Sequence, residues 1–131
     1  MEDLRIVLRP FVKADDQALI YSTWQLGLWG AVPRPSERPS PAFFGINTRA
    51  ITKIIDNPGT VVQVACASGN PIFIIGYSVM NKKHLHWVYV KEDYRRHGIG
   101  TLLTDGFETI DKPVTKIAKA LAEKKELRFA E

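Results

Sequence analysis

Three β-rich runs follow one another at hairpin spacing in the middle of the chain, and no other feature restricts the fold as strongly. The runs cover residues 60–66, 72–80 and 84–90. Turn-forming residues separate them, with Ser-Gly-Asn-Pro at 68–71 and Asn-Lys-Lys at 81–83. Connections this short join antiparallel neighbours. The sequence therefore predicts three consecutive antiparallel strands.

A further strand and two helices are predicted before these runs. Alternation of apolar and polar residues from Leu4 to Arg9 is typical of a strand. The first helix is expected to be capped by Asp15 or Asp16, and the second to stop at residues 57–59. Their apolar faces are Ile20, Trp24 and Leu28 in the first helix and Phe43, Ile46, Ala50 and Ile54 in the second.

The segment after the third run predicts a helix that begins at the glycines 98–100 and continues to Ile110. Apolar residues recur there at helical spacing, namely Ile99, Leu102, Leu103, Phe107 and Ile110. Beyond it, residues 113–117 fit either a short buried strand or the approach to a helix. Residues 31–41 contain four prolines and predict a loop between the first two helices.

Composition narrows the classes of function. A chain of 131 residues allows one domain, which we assign to residues 1–131. The single cysteine, Cys66, cannot form an intramolecular disulfide and is expected to be a buried structural thiol. No His/Cys cluster has zinc-ligand spacing, so no metal is expected. No apolar stretch reaches the ~18 residues of a membrane span, and the acidic start is not that of a signal peptide, which favours a cytoplasmic location.

The run from Arg95 to Thr101 has the properties of an anion-binding turn. Glycines at the start of a helix leave backbone N–H groups open to a phosphate, and two arginines flank them. A Rossmann fingerprint would need Gly or Ala at Leu103, and no P-loop Gly-Lys pair is present. The pattern that fits is R-x-x-G-x-G, at Arg95, Gly98 and Gly100.

This motif, between a strand and an amphipathic segment, resembles the central motif of the GCN5-related N-acetyltransferase (GNAT) superfamily. The predicted order of strands and helices agrees with that of the superfamily across most of the chain. The resemblance is best between residues 72 and 107. The resemblance implies an α/β (α+β) fold, with a mixed, mostly antiparallel central sheet flanked by helices and a shortened C-terminal part. Residues 19–29 together with 84–103 are also similar to small GNAT-type proteins encoded by bacteriophages.

The resemblance also implies the cofactor, acetyl-CoA, as the acyl donor. The cofactor would lie where the fourth strand diverges from its neighbour, with its pantetheine arm hydrogen-bonded to the backbone of Val88, Tyr89 and Val90. Its pyrophosphate would be held by the turn, that is by Arg95, Arg96, His97, Gly98, Ile99, Gly100 and Thr101.

Direct acetyl transfer needs a base that deprotonates an amine, and His86 is the candidate because imidazole titrates near neutral pH. We expect His86 on the same face as Val88; a hydrogen-bonded strand histidine is the structural alternative, and His84 is a rival base. In many relatives a tyrosine after the loop helix is the acid. Here all four tyrosines, Tyr21, Tyr77, Tyr89 and Tyr94, precede that helix.

Three functions therefore stay open. The first is an N-acetyltransferase that uses acetyl-CoA and an unidentified amine, in the cytoplasm of a bacterium or a phage-infected host. The second is a catalytically silent GNAT-fold protein that binds CoA or a protein partner. The third, a basic nucleic-acid-binding protein, is disfavoured because no stacking platform or known module supports it. Residues 127–130 provide at most one further strand, so the acceptor wall is either incomplete or completed by a second chain, as in a homodimer.

Overall fold

The protein has a mixed α/β fold, in which the five strands of the described residues form one mostly antiparallel sheet flanked by helices, as the sequence predicts. The computed structural model describes residues 5–31, 41–111, 119–121 and 123. The predicted loop at 31–41, the two alternatives at 113–117 and the strand at 127–130 lie largely or wholly outside these residues. The elements are β1 (Ile6–Pro10), α1 (Lys13–Ala31), α2 (Pro41–Ile55), β2 (Thr60–Ala67), β3 (Asn70–Asn81), β4 (His84–Val90), a 3₁₀ turn (Glu92–Tyr94), α3 (Ile99–Leu103) and β5 (Thr109–Ile110).

The strands lie in chain order across the sheet, from β1 at one edge to β5 at the other. The pairs β1–β2, β2–β3 and β3–β4 are antiparallel, which confirms the three predicted consecutive strands. The β4–β5 pair is parallel and joins only His84 to Thr109 and Leu85 to Ile110. Strand β4 therefore keeps an open edge beyond Leu85 along the described part of the chain.

An ion pair connects the first strand to the first helix. Both guanidinium Nη atoms of Arg9 donate to the carboxylate of the buried Asp16, at 2.7 and 2.8 Å. The same carboxylate accepts the N–H of Val12 at 2.7 Å. The hydrogen bonds from Arg9 are the largest influence on Asp16. Together with the bond from Val12 they outweigh the desolvation of the carboxylate and lower the pKa of Asp16. Asp15 and Asp16 therefore lie within the first turn of α1, which begins at Lys13, and neither is the residue before the helix that the sequence predicts as its cap.

The main core lies between the sheet and the helices α1 and α2. Ile20 and Trp24 from α1 pack there, as predicted, against Trp87 of β4. The predicted face of α2 is partly wrong, because Ile46 and Ala50 are exposed, whereas Ile51 is fully buried. Cys66 is buried, with its thiol against the Val7 carbonyl, as expected of a structural thiol.

Helix α3 is shorter than the sequence predicts, since it ends at Leu103 rather than at Ile110. The Thr104 hydroxyl donates to the Gly100 carbonyl at 2.7 Å, and Gly106 then adopts a left-handed φ of 85°. The chain turns at this point and continues as β5. No described helix is both long and apolar enough to cross a bilayer.

The close packing of Gly27 against Trp87 gives a testable prediction. A Cβ at this position would lie 2.5 Å from the Trp87 ring, which stacks on Trp24 at 5.8 Å, whereas a Cβ at Gly45 in α2 would meet nothing within 4 Å. Both substitutions to alanine gain similar helix propensity. We therefore expect Gly27→Ala to be less stable than Gly45→Ala by about 1–3 kcal/mol, the cost of overpacking. Urea denaturation of the two variants measures the difference, and equal stabilities would contradict this packing.

Candidate functional site

A β-bulge in β4 determines where the side chains around His86 lie. Val79 pairs with Trp87 and the next residue, Met80, pairs with Leu85, so His86 is the extra residue on β4. Leu85 consequently packs with Val88 on the α3 side of the sheet, whereas Trp87 packs on the α1/α2 side. The expectation that His86 shares a face with Val88 is therefore wrong, because the bulge interrupts the alternation.

His86 and Trp87 instead line one cavity between β4 and the first two helices. The cavity has a volume of about 300 Å³. Its walls are mostly apolar, and its polar groups are at the β4 side and on α2. The lining residues are Trp24, Leu28, Asn47, Ala50, Ile51, Ile54, His86, Trp87 and Asp111. We call this space the helix-side cavity.

Asp111, immediately after β5, joins both β4 histidines. Its Oδ1 lies 2.6 Å from His84 Nε2, and its Oδ2 lies 2.6 Å from His86 Nδ1. The other ring nitrogen of His84, Nδ1, lies 2.6 Å from the Thr109 hydroxyl. The parallel pairing of β4 and β5 is what brings these four side chains together.

The protonation pattern of this network follows from Asp111. Burial raises the pKa of its carboxyl group, but hydrogen bonds from His86 and His84 outweigh burial and hold the pKa below the ordinary value. An ionised carboxylate only accepts, so His84 Nε2 and His86 Nδ1 each donate a proton to it. In neutral imidazoles the second nitrogens are then acceptors. With both rings neutral, Thr109 would donate to His84 Nδ1, and His86 Nε2 would be an acceptor.

The same three side chains offer a donor set for a divalent metal ion. One ligand atom each from His84, His86 and Asp111 lies within 4.8 Å of the others. Two imidazoles and a carboxylate suit zinc or another transition metal. The sequence prediction of no metal considers only ligands that are close along the chain. It does not detect a cluster such as this one, whose ligands come from β4 and from the residue after β5.

A second cavity, of about 460 Å³, lies at the predicted anion-binding turn. We call it the turn-side cavity. Most of the predicted cofactor residues line it, together with three that sequence reasoning missed, Tyr94, Ala120 and Leu121. The predicted residues that line it are Val90, Arg95, Arg96, Gly98, Ile99, Gly100 and Thr101.

The backbone of the turn presents donors to this cavity. Gly98 is the N-cap of α3, with a left-handed φ of 79°, and the Leu102 N–H bonds to its carbonyl at 3.0 Å. The N–H groups of residues 99–101 therefore precede the first intrahelical bond of α3. Arg96 also has a left-handed φ, of 69°, a conformation that costs free energy for a residue with a side chain.

The open edge of β4 adjoins the same cavity. Arg95 Nε donates to the Val90 carbonyl at 2.9 Å, so this carbonyl turns away from β3. Gly76 of β3 is opposite Val90, and a Cβ there would lie 2.5 Å from the Tyr89 carbonyl oxygen. The close approach of β3 therefore holds the end of β4 in place, and no described strand pairs with the outer edge of β4 at Val90.

The remaining predicted residues lie elsewhere. Val88 is buried against Phe107 and Ile110, and Tyr89 packs toward the main core. His97 is exposed. His86 and the turn lie on opposite sides of β4, in separate cavities. The roles of all these residues as base or cofactor contacts stay predictions.

The comparisons with known proteins point in one direction. Residues 23–123 match the sequence model of the Acetyltransferase (GNAT) family. No curated protein matches the sequence. Many solved structures are similar in fold.

Three of these structures illustrate the similarity. One, from Clostridium acetobutylicum, is described as a predicted acetyltransferase with acetyl-CoA; its TM-score is 0.66 at 16% identity, covering 97% of this chain and 92% of that chain. An aminoglycoside N-acetyltransferase in complex with CoA has a TM-score of 0.54 at 14% identity, covering 99% and 92%. A glucosamine N-acetyltransferase region of a fungal multi-domain β-N-acetylglucosaminidase has a TM-score of 0.51 at 19% identity, covering 79% of this chain but only 12% of that chain. At these identities the likeness concerns the fold alone.

The Asp111 network predicts a pH dependence of stability. Because the pKa of Asp111 in the folded chain lies below 3.8, its ionised form contributes stability at neutral pH, and the contribution is lost as the pH falls through the folded-state value. Asp111→Asn should lower the free energy of unfolding at neutral pH by about 1 kcal/mol or less, since the carboxylate is partly exposed, and should change little at about pH 2. Thermal melts across this range test it, with the exposed Asp105→Asn as control. A loss for Asp111→Asn that is independent of pH would contradict the assignment.

Proposed function

The chain belongs to the acetyltransferase (GNAT) family, and we propose on that premise that it transfers an acetyl group from acetyl-CoA to an amine. One observation carries the proposal. Strand β4 borders both cavities, with Val90 in the turn-side cavity and His86 in the helix-side cavity. A donor held on one side and an acceptor held on the other would meet at this strand.

The turn-side cavity would hold the CoA. The N–H groups of residues 99–101 and the side chains of Arg95 and Arg96 supply donors and positive charge for a pyrophosphate. The open edge of β4 offers backbone groups to the amides of the pantetheine arm, as another strand would. Arg95 would exchange its bond to the Val90 carbonyl for contacts with the cofactor. The solved relatives that contain acetyl-CoA or CoA support this assignment.

His86 would be the general base. Its Nδ1–H bond to Asp111 fixes the tautomer and leaves Nε2 to accept a proton from the amine. The nitrogen then attacks the thioester carbon, the C–S bond breaks, and CoA leaves as a thiolate. We assign the protonation of this thiolate to solvent. Asp111 acts through His86 and is a positioning residue.

Several finer assignments belong to the same proposal. These are a single acyl-CoA-binding domain over residues 1–131, a cytoplasmic location and the similarity to phage-encoded proteins. A homodimer is a further part of it. The amine itself is taken up in the next subsection.

Acetyl-CoA should raise the melting temperature of the protein. A ligand that binds only the folded chain adds RT ln(1 + [L]/Kd), about 2.7 kcal/mol at a hundredfold excess over Kd. Gly100→Asp should abolish the shift, because a Cβ there points toward Leu121 and Val90, and the carboxylate would occupy the anion site. Leu102→Asp is the matched control, since it adds the same charge at a half-exposed position of the same helix. Normal binding by Gly100→Asp would mean that the turn is not the cofactor site.

His86→Gln should lower kcat/KM for acetyl transfer by about 100-fold or more, the scale of general-base catalysis. The melting-temperature shift with acetyl-CoA should stay unchanged, because His86 lies outside the turn-side cavity. Asp111→Asn should cause a smaller loss and alter the pH–rate profile. The assay follows thiol release from acetyl-CoA with an amine panel. Unchanged turnover in His86→Gln would return His86 to a structural role, and acetyl-CoA binding without acetylation of any amine would favour the catalytically silent alternative.

A further inference from the structure

The size of the helix-side cavity limits what can enter it. Its volume of about 300 Å³ is at the lower end for small-molecule sites, which run from roughly 300 to 1,000 Å³. An apolar cavity of about 150 Å³ is enough to hold benzene. The helix-side cavity therefore fits a single ring or a branched aliphatic group together with a short arm.

The walls of the cavity are apolar on most sides. Trp24 and Trp87 stack with their planes 9° apart and form a rigid aromatic wall. Leu28, Ile51 and Ile54 supply aliphatic surface from both helices. Asn47, the polar residue on the helix side, is held by a 2.8 Å bond from its Nδ2 to the Phe43 carbonyl. Hydroxyl-rich molecules would find few partners on these walls and would lose their bonds to water.

The charge of the cavity is concentrated at one end. Asp111 is the single carboxylate among the described lining residues, and none of them is lysine or arginine. A carboxylate on the acceptor would therefore be repelled there, whereas an ammonium group would be attracted toward Asp111 and His86. The amine would then lie beside the imidazole that receives its proton.

From these three features we propose that the acceptor is a primary amine on a short arm from a compact aromatic or aliphatic body that carries no negative charge. The inference rests on the proposed acetyl transfer and names its substrate class. It separates 2-phenylethylamine, which fits, from phenylalanine, which differs from it only by a carboxylate. It also separates 2-phenylethylamine from glucosamine, which has a comparable size and a hydroxylated body.

The test measures binding and transfer separately. Ligand-observed NMR gives the affinity of each of the three amines without acetyl-CoA, and thiol release gives their acetylation. We expect 2-phenylethylamine to bind and to react at least about tenfold better than the other two. Asp111→Asn should reduce the preference over phenylalanine by about fivefold, the scale of a partly exposed charge interaction.

Variants on α2 locate the binding. Ala50 lines the cavity at an exposed position, so Ala50→Phe should narrow its opening and weaken 2-phenylethylamine binding about tenfold, while the melting-temperature shift with acetyl-CoA stays as in the wild type. Ile46→Phe, at an exposed position of the same helix, should change neither. If Ala50→Phe does not fold, Leu28→Trp fills the cavity from α1 instead.

The outcomes distinguish the two proposals. Equal or better binding of phenylalanine or glucosamine, or unchanged binding in the filled variants, would overturn the substrate class. No binding of any of the three amines would overturn it as well. Acetylation of glucosamine that depends on His86 would overturn the class and support acetyl transfer. Cavity-dependent binding of 2-phenylethylamine without any transfer would support the class and overturn the proposed reaction.

Discussion

The extra residue in strand β4 is the constraint on which the candidate site depends. Without the bulge at His86, strict alternation would place Leu85 and Trp87 on the same face of the sheet. With it, Leu85 fills the space beside Phe107, and Trp87 fills the core under α1. The imidazole of His86 is thereby directed beside Trp87 into a cavity. One inserted residue thus keeps both layers packed and directs the imidazole of His86 into the helix-side cavity.

The limited contact between β4 and β5 has the complementary effect. Two residue pairs bring Asp111 to the histidines, and the structure describes no further pairing of β4 with β5 up to Asp111. The free edge of β4 continues to Val90, where the turn and α3 begin. The hydrogen-bond network and the proposed cofactor-binding edge therefore both involve β4, the network where β4 pairs with β5 and the edge farther along the strand.

Most of the architecture could be predicted from the sequence because local signals specify it. The turns at 68–71 and 81–83 specify the three antiparallel strands, and the glycines at 98–100 mark the start of α3. The helix predicted to Ile110 shows the limit of such signals. Phe107 and Ile110 are buried as their spacing suggests, but a turn at Gly106 and a strand bury them instead of a helix. Periodicity reports which residues are buried more reliably than the conformation that buries them.

The missed parts of the site depend on contacts between distant segments. The bulge follows from how β3 pairs with β4, and neither strand alone reveals it. Asp111 follows His84 by 27 residues, and only the parallel register of β5 makes them neighbours. His84 and His86, one residue apart in a predicted strand, are visible in the sequence as a candidate site. Their partner, Asp111, is not.

The short seam between β4 and β5 also has a consequence for how the chain assembles. The three central strands join neighbours in sequence through tight turns, so they can form early and locally. Over the residues that the structure describes, the β4–β5 pairing closes a longer loop with two residue pairs, and it is therefore expected to open at lower cost than the long β2–β3 ladder. Every such opening separates Asp111 from both imidazoles while leaving the central sheet intact. The fraction of molecules with an aligned His86 is thus set by the stability of this seam rather than by that of the whole fold.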